Sequence, residues 1–416
     1  MRRDKNIGQW SQYFGFFPKI PRLSTDGGRK RIWIQAVSVG EVLAIEPLIK
    51  KLHDSADIEI ILTTTTSTGY KEAKKRYANC TSGIGLFPMD FWACSALAWS
   101  RIQPDVVILT ESELWPEHLH QASKKGVPVF LINARLSNRS YARLKRFPFM
   151  ARFLVDKIQA IYCATHIDYE RYSALGAQPE NTMGNIKLDV DFGAALSSSE
   201  KDAALEALGF ARKDVSADTR FILMGASTWP GEETLLLKAQ KHCHDAGIPC
   251  LLILVPRHVE RRGEIQKLLK EQALPWTSAK GESGNGDSSN GESSQAIFFS
   301  DTTGNLVDLL KLADLAFIGK SMPPNVGGQT PIEAAAQGIP ILMGPNMSNF
   351  KTISDELIEI GAAQCVTSQS ELNEQVLRLA KDSPARTQMQ EAGLSWHEAN
   401  KGIISEIGDA ILQTLI

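Results

Sequence analysis

The sequence has no apolar run that approaches the ~20 residues a helix needs to cross a bilayer, and no apolar signal-peptide core follows Met1. These two absences predict a chain that stays in the cytosol unless its surface attaches it to a membrane. The net charge is only −2, which provides no general affinity for nucleic acid, so no nucleic-acid partner is expected.

Cysteine is sparse, and the six cysteines are scattered without a Cys-x-x-Cys pair. This pattern is typical of reduced, mostly buried thiols. His242, Cys243 and His244 are the only cluster of soft ligands, but neighbouring residues on a helix point in different directions, so no metal site is predicted. The dinucleotide fingerprint G-x-G-x-x-G is also missing after the first strand of either half, which disfavours a redox enzyme.

What the sequence does contain is a repeated alternation of strand-like and helix-like segments over 416 residues. At ~100–200 residues per domain the length indicates two domains, and the alternation indicates α/β domains with parallel sheets. We therefore predict two Rossmann-like domains facing across a cleft. The predicted boundaries are 1–30 for an N-terminal arm, 31–190 and 204–394 for the domains, 191–203 for a linker, 277–295 for a flexible loop in the second domain, and 395–416 for one amphipathic helix.

The N-terminal arm is basic and aromatic. Eight Lys or Arg occur in the first 31 residues, interleaved with Trp10, Tyr13, Phe14, Phe16 and Phe17. Such a composition suits the anionic surface of a membrane. An ordinary extension that packs on the first domain explains the same residues, and both alternatives stay open.

Four successive strands of the first half end in polar clusters, near residues 38, 63, 111 and 133. Open α/β sheets bind ligands at the carboxyl ends of their strands. Glu41 follows one such end and opens a helix, whose positive terminus is expected to depress its pKa. It could act as a base toward a sugar hydroxyl once water is excluded, or it could only compensate the helix dipole. Glu111 and Glu113 either assist it or hold the loop of Arg135 by ion pairs.

Residues 314–350 of the second half predict a strand, a loop through Gly327 and Gly328, a short helix and a second strand. Thr330 is a natural N-cap for the helix. The glycine pair would let backbone N–H groups approach an anion at the positive end of the helix. The segment therefore predicts a phosphate and ribose site.

Two side chains extend this interpretation to a nucleotide sugar. Glu333 could accept hydrogen bonds from both ribose hydroxyls, because a carboxylate offers paired acceptors. Arg257 could hold a phosphate or carboxylate through two parallel hydrogen bonds. Capping threonines and surface arginines are common, so it is their convergence at the strand ends of one domain that supports the site.

Several separate segments resemble, in the same order, the 3-deoxy-D-manno-octulosonic acid (Kdo) transferases of lipopolysaccharide assembly. These enzymes have the two-domain GT-B glycosyltransferase fold. The segments are residues 38–41 (Ser-Val-Gly-Glu), 111–116 (Glu-Ser-Glu-Leu-Trp-Pro), 133–137 (Asn-Ala-Arg-Leu-Ser), 254–261 (Leu-Val-Pro-Arg-His-Val-Glu-Arg), 333–336 (Glu-Ala-Ala-Ala), 343–345 (Met-Gly-Pro) and 349–351 (Asn-Phe-Lys).

The resemblance implies transfer of Kdo from CMP-Kdo to the glucosamine disaccharide of a tetra-acylated lipid A precursor, with inversion and without a metal or other cofactor. Glu41 matches the general base of the family, and Glu111 and Glu113 are the other two catalytic candidates. The first domain is expected to bind the acceptor through Ser38, Gly40, Thr64, Thr65, Arg135, Arg139 and Lys187. The second is expected to bind CMP-Kdo through Ser227, Thr228, Arg257, His258, Gly304, Gly319, Gly327, Gly328, Gln329, Thr330, Glu333, Asn349 and Lys351.

Two departures accompany this resemblance. Relatives carry Gly-Gly-His-Asn where this chain has residues 327–330 as Gly-Gly-Gln-Thr, so the positive charge of a histidine is missing at the donor site. Relatives also usually begin with an apolar anchoring helix, near whose end this chain starts. Because the acceptor is a lipid, we expect peripheral attachment to the cytoplasmic face of the inner membrane.

Two other functions stay open on the sequence alone. One is a GT-B enzyme that uses a different nucleotide sugar, including an epimerase in which Glu41 acts on the sugar itself. The other is a non-enzymatic two-domain sugar-binding protein, although such proteins are usually exported and carry a signal peptide.

Overall fold

The structure, a computed structural model, describes residues 10–18, 29–55, 57–181, 184–210, 220–272, 274–284 and 297–415. The chain divides into two units. Unit 1 comprises Met1–Asp191 and Asn400–Ile416, and unit 2 comprises Phe192–Ala399.

The sheet of unit 1 is built from apolar strands that are buried along almost their whole length. The strands are β1 (Lys30–Gln35), β2 (Ile58–Thr64), β3 (Gly83–Leu86), β4 (Val106–Thr110), β5 (Val129–Ala134) and β6 (Ala160–Cys163). All pairings are parallel, in the order β3-β2-β1-β4-β5-β6. Strands of a parallel sheet read as continuous apolar runs because helices cover both faces.

Helices of unit 1 precede, connect and follow these strands and complete its two apolar cores. They are α1 (Trp10–Tyr13), α2 (Val39–Ala44), α3 (Glu46–His53), α4 (Ser67–Tyr77), α5 (Trp92–Ile102), α6 (Pro116–Lys125), α7 (Asn138–Arg146), α8 (Pro148–Val155), α9 (His166–Ala174) and a 3₁₀ turn at Ile186–Asp189.

Unit 2 contains an eight-stranded sheet. Its strands are β7 (Phe221–Thr228), β8 (Cys250–Pro256), β9 (Trp276–Ser278), β10 (Ser283–Gly284), β11 (Ile297–Phe299), β12 (Leu315–Ile318), β13 (Ile341–Met343) and β14 (Ala363–Cys365). The order is β10-β9-β11-β8-β7-β12-β13-β14, parallel except for the pair of β9 and β10.

The helices of unit 2 are α10 (Ser198–Ala207), α11 (Glu232–Asp245), α12 (Arg262–Glu271), α13 (Leu306–Leu310), α14 (Ile332–Ala336), α15 (Lys351–Glu359), α16 (Gln369–Lys381) and α17 (Ser383–Asn400), with a 3₁₀ turn at Val259–Arg261. The last helix of the chain, α18 (Ile403–Thr414), belongs to unit 1.

Each unit contains the strand order 3-2-1-4-5-6 of the doubly wound fold, in unit 2 as β11-β8-β7-β12-β13-β14. The order reverses between β1 and β4 in unit 1, and between β7 and β12 in unit 2. Such sheets bind ligands where the order reverses, outside the carboxyl ends of the strands. The fold therefore assigns one candidate site to each unit.

The structure corrects the predicted C-terminal helix. The segment from residue 395 is not one helix, because α17 continues to Asn400 and the chain turns at Gly402, which has a φ of +106°. Ile404, Ile407 and Ile411 of α18 are buried in the core of unit 1. A hydrophobic face on α18, rather than its position in the sequence, thus decides which unit it joins.

Two further boundaries can be compared with the sequence prediction. The two units divide between Asp191 and Phe192, within the predicted linker, and Ser197 and Glu200 form a capping box that begins α10 in the same segment. The predicted flexible loop begins with two short paired strands, β9 and β10. Residues 285–295 of that loop lie outside the described residues.

The described part of the N-terminal arm packs on unit 1. The Tyr13 hydroxyl donates to the carbonyl oxygen of Thr65 at 3.0 Å, the Gln12 side chain accepts the backbone N–H of Leu86 at 2.8 Å, and Phe17 is buried. Residues 10–17 therefore behave as an extension of the domain. Residues 1–9 and 19–28 of the predicted arm lie outside the described ranges.

The cysteines are not cross-linked. All six are free thiols, four of them buried. Within the described ranges, no helix has the length and apolar character needed to cross a membrane.

Candidate active site

The carboxylate of Glu41 lies where β1 and β4 end side by side. Its Oε2 atom accepts hydrogen bonds from the Val37 backbone N–H at 2.9 Å and from the Thr110 hydroxyl at 2.6 Å. Its Oε1 atom accepts the Ser38 hydroxyl at 3.1 Å. Only 8% of Glu41 is exposed, so three donors fix a nearly buried carboxylate at the reversal point of the sheet.

The pKa of Glu41 is raised above the ordinary value of a glutamate, first by burial and then by the negative charge of Glu111. The hydrogen bonds from Thr110, Val37 and Ser38 favour the anion but do not cancel these two effects. The sequence-based prediction of a depressed pKa was therefore wrong. It considered the helix terminus, whereas burial between two strand ends dominates.

Glu111 and Glu113 follow β4 and complete a cluster of three carboxylates. Glu111 has a left-handed backbone with a φ of +55°, and its Oε1 atom lies 3.9 Å from the Nζ atom of Lys187. Glu113 accepts the Trp115 indole N–H at 2.6 Å. Burial, followed by the charges of Glu41 and Glu111, raises the pKa of Glu113 to about 7. The structure thus brings Glu41, Glu111, Glu113 and Lys187 together.

The other residues predicted to bind the acceptor differ in their exposure and in their hydrogen-bond partners. Gly40 lies in the first turn of α2 beside Ser38, and the Thr65 hydroxyl accepts the Gln35 amide at 2.9 Å. Thr64 is fully buried and donates to the carbonyl oxygen of Thr66, which does not fit the predicted ligand contact. Arg139 lies exposed on α7.

Arg135 was predicted to lie in a loop that Glu111 or Glu113 could hold by ion pairs. The structure shows a backbone link between these segments, in which the Arg135 N–H donates to the carbonyl oxygen of Glu111 at 3.2 Å. This bond ties the loop after β5 to the end of β4.

In unit 2, the ends of β7 and β12 approach each other too closely for a side chain. A Cβ atom on Gly319 would lie 2.2 Å from the carbonyl oxygen of Ser227, so only glycine fits there. Ser227 itself has a left-handed φ of +57°. Thr228 is fully buried and its hydroxyl donates to Glu233 at 2.7 Å, so its predicted donor contact does not fit.

The glycine pair adopts the predicted left-handed conformation, with φ values of +115° for Gly327 and +71° for Gly328. Its predicted function as a backbone anion cradle is wrong. The N–H groups of residues 327, 328 and 329 already donate, at 3.0 to 3.1 Å, to the carbonyl oxygens of Asn346, Lys320 and Gly319. The conformation that the glycines permit serves to fold the loop onto β12.

The helix that follows begins one residue later than predicted. It begins at Ile332 and has five residues, with Pro331 at the N-cap position. The Thr330 hydroxyl still accepts the Ile332 N–H at 3.2 Å, so the predicted cap residue lies one position before the observed N-cap. Glu333 lies in the first turn, as the sequence predicted, and is half-buried.

The remaining residues predicted to bind CMP-Kdo lie in loops and at a helix start of unit 2. Arg257 and His258 are exposed immediately after β8, and Asn349 is exposed before α15. Lys351 forms a surface ion pair with Asp355 at 2.6 Å. Gly304 has a φ of +91° and open space around it.

Sequence reasoning missed two residues that organise these edges. Thr110 is the last residue of β4, a position that signals a ligand edge. Glu232 is almost completely buried and accepts backbone N–H groups from residues 229, 320, 321 and 322 at 2.8 to 3.1 Å. No local signal marks Glu232, because three of its four donors lie about ninety residues away in sequence.

Comparison of the sequence with known proteins identifies its family. Residues 8–190 match the family model described as 3-deoxy-D-manno-octulosonic-acid transferase (kdotransferase). A 3-deoxy-D-manno-octulosonic acid transferase of Haemophilus influenzae is 30% identical over 385 residues, which cover 91% of this chain and 86% of that protein.

A bifunctional glycosyltransferase/methyltransferase of Fusobacterium nucleatum is also 30% identical, over 79% of this chain. The aligned part is 49% of that protein, so the chain spans about half the length of this relative.

Solved structures agree on the fold. A UDP-GlcNAc 2-epimerase from Neisseria meningitidis bound to UDP-GlcNAc is similar with a TM-score of 0.61 at 13% identity, over 92% of this chain and 99% of that one. An identity this low shows the fold alone, and the predicted GT-B-like α/β fold is confirmed. The sequence relationship is more specific: the chain belongs to the 3-deoxy-D-manno-octulosonic acid transferase family and is a glycosyltransferase.

Proposed function

We propose that this protein transfers Kdo from CMP-Kdo to the glucosamine disaccharide of a lipid A precursor, with inversion at the anomeric carbon and Glu41 as the general base. The observation that carries the proposal is the placement of Glu41. Its carboxylate is fixed at the reversal point of the unit 1 sheet, and its pKa is raised by burial and by Glu111. A raised pKa makes a carboxylate a stronger base while it stays ionised near neutral pH.

In the proposed reaction, Glu41 accepts the proton of the acceptor hydroxyl as the oxygen of that hydroxyl attacks the anomeric carbon of Kdo. The new glycosidic C–O bond forms as the bond between the anomeric carbon and the phosphate oxygen of CMP breaks. CMP leaves with the electron pair of that bond. Attack from the face opposite the leaving group gives inversion.

Lys187 and Glu113 are proposed to support this step. Lys187, beside Glu111, would neutralise part of the negative charge around the base and contact an anionic group of a substrate. Glu113, whose pKa is about 7, would hold a proton for part of the time at neutral pH and could donate a hydrogen bond to the acceptor sugar.

Unit 2 is proposed to bind CMP-Kdo at the ends of β7, β8 and β12. Arg257 is exposed at one of these ends and would stabilise the charge that develops on the CMP phosphate. Glu333, in the first turn of α14, would accept hydrogen bonds from the ribose hydroxyls.

The proposal predicts acceptor-dependent release of CMP. Purified protein, CMP-Kdo and a tetra-acylated lipid A precursor should together yield free CMP and a glycolipid heavier by whole Kdo units, measured by mass spectrometry. Omission of the acceptor should reduce CMP release to the rate of spontaneous hydrolysis. Turnover of a UDP-sugar in place of CMP-Kdo, or sugar epimerisation without an acceptor, would overturn the proposed donor and reaction.

The lipid acceptor leads us to propose peripheral attachment to an anionic membrane, and the surface of α7 and α8 supports it. No residue of α7 is buried. Phe149 is 86% exposed and Met150 is 56% exposed, and Arg143, Lys145 and Arg146 precede them in the chain. Exposed apolar side chains beside basic ones suit an anionic lipid surface, where each Lys or Arg contributes about 1 kcal/mol.

We therefore expect the protein to sediment with vesicles that contain anionic lipid at low salt, and to be released by high salt. The double variant F149S/M150S should bind at least about tenfold more weakly, because burial of one large apolar side chain is worth ~1.5–3 kcal/mol. Ile360→Ser, at an exposed apolar residue of unit 2, is the matched control and should bind like the wild type. Absence of binding by the wild-type protein would contradict the proposed attachment.

A further inference from the structure

The donor edge of unit 2 needs a positive charge that its backbone does not provide. The N–H groups of Gly327, Gly328 and Gln329 are all used within the loop, and α14 has only five residues. Gln329 also stands where a histidine is expected from the family resemblance. A phosphate bound at this edge must therefore be recognised largely by side chains.

Lys320 has a suitable position for this task. It lies two residues after the end of β12, at the point where the strand order of unit 2 reverses. Its φ of +61° is a left-handed conformation that lysine rarely adopts. Strained backbone of this kind persists only when the surrounding structure enforces it, so the position of Lys320 is imposed by its neighbours.

Those neighbours hold the Lys320 backbone from both sides. Its N–H donates to the buried carboxylate of Glu232 at 2.8 Å, and its carbonyl oxygen accepts the Gly328 N–H at 3.0 Å. The first bond links residue 320 to the first turn of α11, and the second links it to the glycine pair. The two bonds fix the point from which the lysine side chain leaves the loop.

The side chain of Lys320 has an aromatic neighbour. Its Nζ atom lies 4.4 Å from the ring centre of Trp229, and the His258 ring packs against the same indole at 5.2 Å. Within the ranges that the structure describes, no carboxylate forms an ion pair with Lys320. The π face of the indole attracts the ammonium group without neutralising it, so the charge remains available to an anion.

We propose that Lys320 binds the phosphate of the nucleotide released by this enzyme, with Trp229 as the ring that orients the lysine. This inference rests on the proposed function, because it identifies a residue of the donor site. A lysine is a compact point charge with three donors, which suits a single phosphate group. Lys320 would supply the positive charge that the resemblance places at residue 329.

The test is calorimetric binding of CMP to the full chain, which requires neither the acceptor nor transfer. Lys320→Met should weaken CMP binding about ten- to a hundredfold, as expected for loss of a charged hydrogen bond. Lys320→Arg should retain most of the affinity. Lys320→Gly should also bind weakly, but it should not unfold more easily than the wild type, because glycine adopts a φ of +61° without strain.

Lys241→Met is the matched control, since Lys241 is a lysine in the same unit that is paired with Asp245 on the surface. Its affinity for CMP should change less than threefold. Cytidine, which lacks the phosphate, should bind the wild type and the Lys320→Met variant equally. A similar loss for cytidine, or unchanged CMP affinity in Lys320→Met, overturns the inference.

Titration with UDP separates this inference from the proposed donor. If the wild type binds UDP and not CMP, the proposed donor is wrong, and Lys320 is judged by the same comparison with UDP and uridine. If the wild type binds neither nucleotide, both proposals fail.

Discussion

Replacement of Glu41 by Gln is expected to lower the rate of Kdo transfer by about 10²–10⁴-fold, the usual contribution of a general base. The amide nearly matches the shape of the carboxylate and can still bond to the Thr110 and Ser38 hydroxyls, which can turn to accept or donate. It has no basic atom to accept the proton of the acceptor. The measurement is the rate of acceptor-dependent CMP release with saturating CMP-Kdo.

CMP affinity separates loss of the base from loss of the fold. Glu41→Gln should bind CMP as the wild type does, because the proposed nucleotide site is built from unit 2. Glu46→Gln is a matched control in unit 1, since Glu46 forms partly exposed ion pairs with Lys50 and Arg76. It should keep nearly full activity. If Glu41→Gln retains wild-type turnover, Glu41 is not the base.

The pH profile tests the same assignment in the wild type. A general base must be ionised, and burial together with Glu111 raises the pKa of Glu41 above its ordinary value of 4.5. Activity should therefore fall as the pH decreases through a value above 4.5. A profile that stays flat down to the range of an exposed glutamate would contradict the structure around Glu41.

Glu232→Ala is expected to destabilise unit 2 by about 3 kcal/mol or more, because each buried donor left without a partner costs about 1–3 kcal/mol. The carboxylate accepts the N–H groups of residues 229, 320, 321 and 322, and those of Ser321 and Met322 belong to buried residues. For a unit of this size the melting temperature should fall by roughly 6–12 °C. Differential scanning calorimetry of the full chain measures the change.

Two further variants show whether the carboxylate itself is responsible. Glu232→Gln keeps one oxygen acceptor and turns an NH₂ group toward backbone donors, so we expect an intermediate loss. Glu260→Ala removes an exposed carboxylate close to the same edge and should leave the melting temperature within about 1 °C, as expected for surface substitutions. A wild-type melting temperature for Glu232→Ala would show that other contacts hold residues 320–322.

Part of the site could be predicted from the sequence because its signals are local, and part could not because it depends on contacts between distant segments. Glu41 was found because it follows an apolar strand and opens a helix, and both signals are local. Its raised pKa was missed because it is caused by burial in the folded sheet and by the charge of Glu111, which follows a strand about seventy residues later in the sequence. The phosphate cradle was predicted from the glycine pair, but the N–H groups of that pair bond to loops that only the folded sheet brings near.

The doubly wound α/β class, the approximate extent of the strands and the family could be predicted from the sequence alone, because apolar periodicity, strand-end residues and the order of motifs are local features of the chain. Only the folded structure shows which unit the last helix joins, which carboxylates interact through their charges, and which backbone N–H groups of the loops are already hydrogen-bonded. These properties depend on burial and on partners distant in sequence. Neither burial nor distant partners can be predicted from local patterns in the sequence.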